Sequence, residues 1–511
     1  MRMRLKTPGI IVFLIVVIGI GIGAWKLWQG KSDGPRGEQG LLGRPLRVGI
    51  VTWPGYAGGI VANNGFKPNK DCIYWKDHKL LVEFLLMEDV DARAKAFASG
   101  REDGVDIVWS TVDFWAAELP GFMKDGVRAQ AIMQVDWSRG GDAIVADSSI
   151  SRIEDLRGKK ISLALFTPSH WLLEYNLQNS SLDETEQAQI VKNLVGKNAS
   201  PDARADFVAR KVDAAVVWEP DVTEALQKRP GSHILVSTKT AANLIADVMV
   251  AREDFILKHP DVIKAFVGGW LDGTGEANRK PNLAVKLLME NEPLYKDLGE
   301  DATRAGLSTV KWADLTDNTM MFGLDGSEPL FDGIFKQASL AWVKRGYIGQ
   351  PALPTQAKDD RHLGMLYAAL PLETRPMASQ GTIRVPQPTK EQEARAAVVT
   401  KPLNIYFATG SAELDQNARQ TLDEQVKLLP QIYSNAYIRV EGNTDNTGNV
   451  KANIALSDMR ARAVVDYVVS RGLDRARFIA KGNGPNQPVA SNNTEQGRAR
   501  NRRTDIEVVP R

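Results

Sequence analysis

Residues 444–478 read TDNTGNVKANIALSDMRARAVVDYVVSRGLDRARF. Leu456, Met459, Ala463, Val464, Tyr467 and Val468 recur at helical spacing, so a helix follows the polar loop GNTDNTG at 442–448. Gly472 is the kind of residue that closes such a helix. Before the loop, residues 437–441 alternate, with Ile438 and Val440 on one side, as a half-buried strand does. Residues 478–481 and 505–509 read as further strands. Residues 405–407 (IYF) read as another, with a helix beginning near Ala412. Residues 401–511 are therefore expected to form a small α/β domain.

Asp445 lies in the loop and Arg460 fifteen positions later on the helix. Taken singly, each reads as a surface charge: an acid at a helix start, a solvated cation on a helix face. The surrounding run says more. Together with KGNGPNQPVASNNTEQGRARNRRTDIEVV at 481–509, it resembles the OmpA C-terminal family over its whole length. That resemblance implies binding to the diaminopimelate moiety of peptidoglycan stem peptides, with Asp445 and Arg460 as the ligand pair. Thr444, Asn453 and Leu456 would complete the pocket. The chemistry suits a zwitterion: a carboxylate pairs with its ammonium, and a guanidinium takes its carboxylate through a bidentate fork. Such binding weakens with salt and needs no catalysis. Arg498, Arg502 and Arg503 form a basic cluster suited either to internal ion pairs or to attraction toward an anionic wall.

Upstream, residues 376–400 carry three prolines, glutamines and alternating charges, as a linker does. From residue 46 to about 375, short apolar runs alternate with amphipathic ones. The apolar runs at 46–51, 105–109, 143–146, 160–165, 214–217 and 248–251 read as strands; those at 92–99 and 203–210 read as helices. This pattern predicts an α/β domain with mainly parallel strands. Five runs in order, VGIVTWPGY at 48–56, GVDIV at 104–108, IEDLRGKKI at 153–161, DAAVVWEP at 213–220 and VAREDF at 250–255, followed by His259-Pro260, resemble the solute-binding proteins of the nitrate, sulfonate and taurine transporter group. The resemblance implies a two-lobed periplasmic binding protein fold of type II, its second lobe at about 140–245, with a ligand cleft between the lobes.

Ligands of open α/β sheets bind beyond the carboxyl ends of the strands. That rule selects Trp53 and Tyr56, Ser110 and Thr111, Thr167 and Ser169, and Trp218 with Glu219. For the two aromatics the bland reading is loop packing; for the hydroxyls it is helix capping. Thr167 and Ser169 open a helix and suit an anion, whereas Glu219 suits an amine or a basic residue at the hinge. The expected ligand is a small molecule, an anion among the candidates.

At the amino terminus, no charge falls between Lys6 and Lys26, and residues 9–24 are dominated by Ile, Val, Gly, Leu and Phe. Such a run is just long enough to cross a hydrocarbon core of about 30 Å. Arg2, Arg4 and Lys6 precede it, which places the start in the cytoplasm and the rest outside. Residues 7–28 are thus expected to be an uncleaved signal anchor, a single transmembrane helix, with residues 29–45 a spacer. Residues 24–26 make a poor cleavage site, and no cysteine follows to carry a lipid. The expected location is the inner membrane of a Gram-negative bacterium, single-pass, with the bulk of the chain in the periplasm.

The chain has 511 residues, a net charge of +2, one cysteine (Cys72) and five scattered histidines. A near-neutral chain lacks the field of a nucleic-acid binder, and one thiol makes neither a disulfide framework nor a cysteine-rich metal site. No cofactor, metal or enzymatic activity is expected; a pyrimidine-synthesising family of similar fold would need a His- and Cys-centred site. A stator-like protein is the other envelope reading, but residues 9–24 lack the acid an ion-driven motor requires; a passive scaffold stays open. The expected partners are peptidoglycan, a small molecule, and an ABC permease or membrane sensor.

Overall fold

The computed structural model describes residues 40–511 apart from 101–103, 404, 406, 409 and 427. The expected span at 7–28 lies outside the described residues, as does most of the spacer. Among the described residues no helix is long and apolar enough to cross a membrane.

Two sheets build the central region. The strands are β1 (Leu46–Ile50), β2 (Val82–Leu86), β3 (Ile107–Thr111), β4 (Ala129–Ser138), β5 (Asp142–Asp147), β6 (Ile161–Ala164), β7 (Leu194–Lys197), β8 (Ala214–Trp218), β9 (Ser232–Ser237), β10 (Ala246–Arg252) and β11 (Val310–Trp312). The first sheet has the order β11-β4-β10-β3-β1-β2, and the second β7-β6-β8-β5-β9. Strands β3 and β8 are buried along their whole length, which is why β8 is a continuous apolar run and β3 is one up to Ser110 and Thr111, rather than alternations.

The expectation of mainly parallel strands needs correction. Pairing is parallel for β2-β1-β3 and β7-β6-β8, and antiparallel for β3-β10-β4-β11 and β8-β5-β9. The cause is the double crossing between lobes. The chain leaves the first sheet along β4 and enters the second as β5; it returns along β9 into β10, so outgoing and returning strands lie antiparallel in both sheets. The two crossings are tied where they pass. Ser138 Oγ and Thr238 Oγ1 are 2.7 Å apart, Gly140 N donates to Thr238 Oγ1 at 2.9 Å, and Thr238 N donates to the Asp142 carbonyl at 3.0 Å.

The last domain is a four-stranded sheet of β12 (Val399–Leu403), β13 (Ala436–Asn443), β14 (Phe478–Gly484) and β15 (Thr504–Pro510), in the order β12-β15-β13-β14. Its first strand lies upstream of the expected 405–407, and the following helix is Gln416–Gln425 rather than one starting near Ala412. Pro402 explains the misreading: it interrupts a strand pattern, yet β12 is an edge strand and can do without that N–H. The Val450–Ser470 helix lies across β13 and β14. Glycines make this contact possible: a Cβ on Gly442 would meet the Ser457 carbonyl oxygen at 2.3 Å, and one on Gly482 the Asp458 nitrogen at 2.3 Å.

The 376–400 connection is laid against this domain, with Val385 packed on Tyr437, Ile479 and Val509. The domain in turn rests on the two-lobed body. Tyr433 is fully buried against Tyr175, their ring centroids 5.8 Å apart, and Asn243 N donates to the Ile432 carbonyl at 3.0 Å. Lys401 Nζ donates to Asn179 Oδ1 at 3.1 Å.

Candidate functional site

In the last domain, the end of β13 delivers Thr444 and Asp445 beside the Val450–Ser470 helix. Thr444 N donates to the Gly484 carbonyl at 2.9 Å, which fixes the loop to the end of β14. Asn449 caps the helix by accepting from Ala452 N. Asn453, Leu456 and Arg460 then fall on one face at spacings of three and four. All five expected residues, Thr444, Asp445, Asn453, Leu456 and Arg460, line one groove of about 750 Å³.

Asp445 is buried to 8% exposure. Its Oδ1 accepts from Thr447 N at 2.9 Å and its Oδ2 from Arg502 Nη1 at 2.7 Å. Burial alone would raise its carboxyl; the Arg502 hydrogen bond and the Thr447 N–H outweigh that and hold it below the usual carboxylate range. Arg460 Nε donates to the Ser411 carbonyl at 3.0 Å, and its guanidinium stands 4.8 Å from the centre of the Phe407 ring. Burial lowers it from the ordinary arginine value. Asn453 Nδ2 donates to the Thr447 carbonyl at 2.9 Å, holding the loop's shape.

The groove therefore offers a carboxylate and a guanidinium with capacity to spare. A carboxylate accepts about four hydrogen bonds, and Asp445 receives those of Arg502 and of the Thr447 N–H and hydroxyl, which leaves room for a further donor. A guanidinium has five N–H donors, and Arg460 uses two, on the Ser411 and Ala408 carbonyls. Sequence reading placed Arg502 only in a basic cluster; its pairing with both Asp445 and Glu495 makes it part of the groove wall.

The eight residues expected in the cleft are all buried. Trp53 Nε1 donates to Asp136 Oδ2 at 3.0 Å, and Tyr56 OH to Asp247 Oδ2 at 2.5 Å. Trp218 of the second lobe stands edge-on to Trp109 of the first, centroids 6.4 Å apart. The lobes thus meet across a closed cleft. Several hydroxyls are taken up internally. Ser110 Oγ donates to Glu118 Oε2 at 3.3 Å, Thr111 caps the Val112–Lys124 helix, and Thr167 Oγ1 donates to the Ala164 carbonyl at 2.7 Å. Glu219 accepts from Thr223 N at 3.1 Å and from Thr223 Oγ1 at 3.0 Å. Ser169 Oγ is buried with no partner among the described residues.

Beside these lie carboxylates that sequence reading missed. Asp136 and Asp247 face each other across β4 and β10. Burial raises both, and the charge of Asp136 raises Asp247 further. Burial also pushes Asp113 up to about 8 and Asp142 up to about 7, the latter helped by Glu219. The signal available was an acid inside an apolar run, as in AQAIMQVDWS at Ala129–Ser138.

Two family models match separate stretches of the chain: "NMT1/THI5 like" over residues 138–284 and "OmpA family" over residues 406–502. The chain thus joins an NMT1/THI5-like region to an OmpA-family domain. Outer membrane protein A of Bordetella avium is 39% identical over 123 residues, 24% of this chain and 63% of that protein. Probable lipoprotein YiaD of Escherichia coli is 35% identical over 113 residues, 22% of this chain and 51% of that one. Peptidoglycan-binding protein ArfA of Mycobacterium tuberculosis is 38% identical over 120 residues, 23% of this chain and 35% of that one. The chain spans between a third and just under two thirds of the length of these relatives. Among solved structures, the periplasmic aliphatic sulphonate binding protein SsuA from Escherichia coli aligns at 15% identity and TM-score 0.48, covering 62% of this chain and 97% of that one. The periplasmic nitrate-binding protein NrtA from Synechocystis aligns at 12% identity and TM-score 0.49, covering 65% of this chain and 91% of that one.

Proposed function

We propose that this chain is a solute-binding protein of the bacterial envelope, tethered to peptidoglycan by its last domain and to the inner membrane by residues 7–28. The observation that carries this reading is the groove holding Asp445 and Arg460. The far end of diaminopimelate is an ammonium and a carboxylate on one carbon. Its ammonium adds to the open lone pairs of Asp445 without displacing Arg502, and its carboxylate takes the unused N–H groups of Arg460. Thr444, Asn453 and Leu456 shape the wall around it. Nothing here needs a bond to be made or broken, which fits a binding protein rather than an enzyme.

The two-lobed body supplies the second half of the reading. Two crossings hinge its lobes, and aromatic side chains from both meet in the cleft, an arrangement suited to closing over a small molecule. A tether at each end would hold that body in a shell between membrane and wall, within reach of a permease or a membrane sensor. The test is co-sedimentation of the full-length protein with purified sacculi. Wild type is expected in the pellet, less of it as salt rises, and Asp445→Ala and Arg460→Ala are expected in the supernatant. Retention of both variants in the pellet would overturn the site. A passive scaffold between membrane and wall gives the same sedimentation result but no ligand in the cleft.

A further inference from the structure

The cleft between the lobes has a charge character that the rest of the molecule does not explain. Asp113, at the start of the Val112–Lys124 helix, is fully buried, and the neighbouring Thr111 hydroxyl is the side-chain donor that acts on its carboxyl. Asp136 uses Oδ2 on Trp53 and leaves Oδ1 buried and unpartnered. Asp142 lies close enough to feel Glu219, and Asp247 to feel Asp113, Asp136 and Asp142. Five acids from different parts of the chain thus share one neighbourhood. No basic side chain figures among the groups acting on Asp113, Asp136, Asp142 or Asp247. Arg93 reaches the region, but its guanidinium is bound to Glu118 and to the Trp109 carbonyl.

Buried carboxylates without partners are costly, and a fold keeps them only where something compensates. Compensation by an anion is excluded by sign. A metal ion needs three or more ligating groups converging on one point, and among the described residues no such group of His, Cys, Asp or Glu exists. A bound proton neutralises such a carboxyl, and the ligand suited to replace that proton is an organic cation whose charge is spread over several atoms. The aromatic content agrees: Trp53 is bonded to Asp136 and Trp218 lies opposite Asp142, and ring faces attract ammonium groups once water is excluded. The Trp109 ring is already taken by the Arg93 guanidinium, 4.9 Å from its centre.

We propose that the cleft takes an organic ammonium, seated against Asp113, Asp136 and Asp142 and the ring of Trp218. This rests on the solute-binding reading of the two-lobed body and narrows it, since it selects cations over the anions that Thr167 and Ser169 had suggested. In the absence of the cation the cluster is held partly protonated; arrival of the ammonium lets the carboxylates ionise around it.

The experiment is thermal unfolding and isothermal titration of the full-length protein with choline, putrescine and agmatine, against nitrate, taurine and sulfate at matched ionic strength. At least one of the three ammonium compounds is expected to raise Tm and to titrate with one site per chain. Asp113→Asn and Asp136→Asn should each weaken that binding tenfold or more. Both variants should keep the far-UV circular dichroism and the cooperative thermal unfolding of wild type, which reports that the two-lobed body folds. If the cation binds both variants as it binds wild type, the site is wrong. If only an anion shifts Tm, the ligand class is wrong while the solute-binding reading stands. No shift with any of the six compounds, and no small molecule carried through purification by native mass spectrometry, would overturn both.

Discussion

The groove of the last domain and the cleft between the lobes are both charged, but they are charged differently. In the groove, acid and base alternate: Asp445 with Arg502, Glu495 with Arg498 and Arg502, and Arg460 on backbone carbonyls. Each acid there has a basic partner, and the surface is open. In the cleft, Asp113, Asp136, Asp142 and Asp247 are enclosed with no basic partner acting on them. An open site whose acids are paired can wait for a zwitterion at little cost. A closed one of single sign is poised for a ligand that brings the missing charge, and its folded state carries strain until that ligand arrives.

The largest expected effect breaks the groove side of this comparison. Asp445→Ala or Arg460→Ala removes one half of a proposed two-point contact and leaves the other half facing an unmatched ligand charge. Loss of about 2–3 kcal/mol, or roughly 30- to 150-fold in affinity for sacculi, is expected from each. Both variants should keep a cooperative unfolding transition, with a fall in Tm smaller than the loss of affinity, since the ligand contact is removed outright while the loop keeps its Asn453 and Thr444 bonds. A large fall in Tm with unchanged sacculus affinity would recast both residues as structural.

Next in size is the backbone contact that positions Arg460. Gly482→Ala places a methyl 2.3 Å from the Asp458 nitrogen, which is main chain and cannot swing away. The helix must lift from β14. Overpacking of this kind costs about 1–3 kcal/mol. Chemical denaturation of the variant should register that loss, and sacculus affinity should fall with it.

The cleft should respond in the opposite direction. The Asp113 carboxyl is pushed up to about 8 by burial, well above its unfolded value. Between about pH 4 and pH 8 the folded state therefore binds more protons than the unfolded one, and stability falls as pH rises through that window. Asp113→Asn removes the ionisable group. At pH 8 the ligand-free variant should unfold a few degrees above wild type, and at pH 4 the two should coincide. A site that gains stability when its acid is deleted, and loses ligand at the same time, is functional rather than architectural. Equal Tm values at pH 8 would remove the strain from this account.

The same contrast explains what the sequence revealed. The groove is local: one loop and the helix after it supply all five of its expected residues, so a linear motif carries them together. Strands β1, β3, β5, β6, β8 and β10 were legible for a similar reason, each being a short buried apolar run. The acid cluster is not local. Asp113 starts a helix, Asp136 sits in β4, Asp142 opens β5 and Asp247 lies in β10. Only the double crossing brings them together, and nothing in a linear reading predicts that β10 inserts between β3 and β4. Glu219 was visible as an awkward residue for an anion, but its neighbours were not. Strand β12 was hidden by Pro402, whose exclusion from central strands says nothing about an edge.

A smaller effect tests the contact that joins the two regions. Lys401 is half-buried beside Asn179 where the last domain meets the second lobe, and desolvation, with the charge of Lys344, lowers its ammonium to about 8. Its folded value lies below the ordinary lysine range, so between about pH 8 and pH 10.5 the unfolded chain holds a proton that the folded chain has released. Stability from this group therefore rises with pH across that window. Lys401→Met keeps the length of the side chain and discards the charge, giving up one hydrogen bond worth about 1 kcal/mol. The variant should match or slightly exceed wild type in Tm at pH 7, and wild type should catch up by pH 10. A gap that widens with pH would mean that the ammonium and Asn179 hold the domains together. A gap that closes would mean the junction rests on Tyr433 packed against Tyr175, with the charge tolerated there.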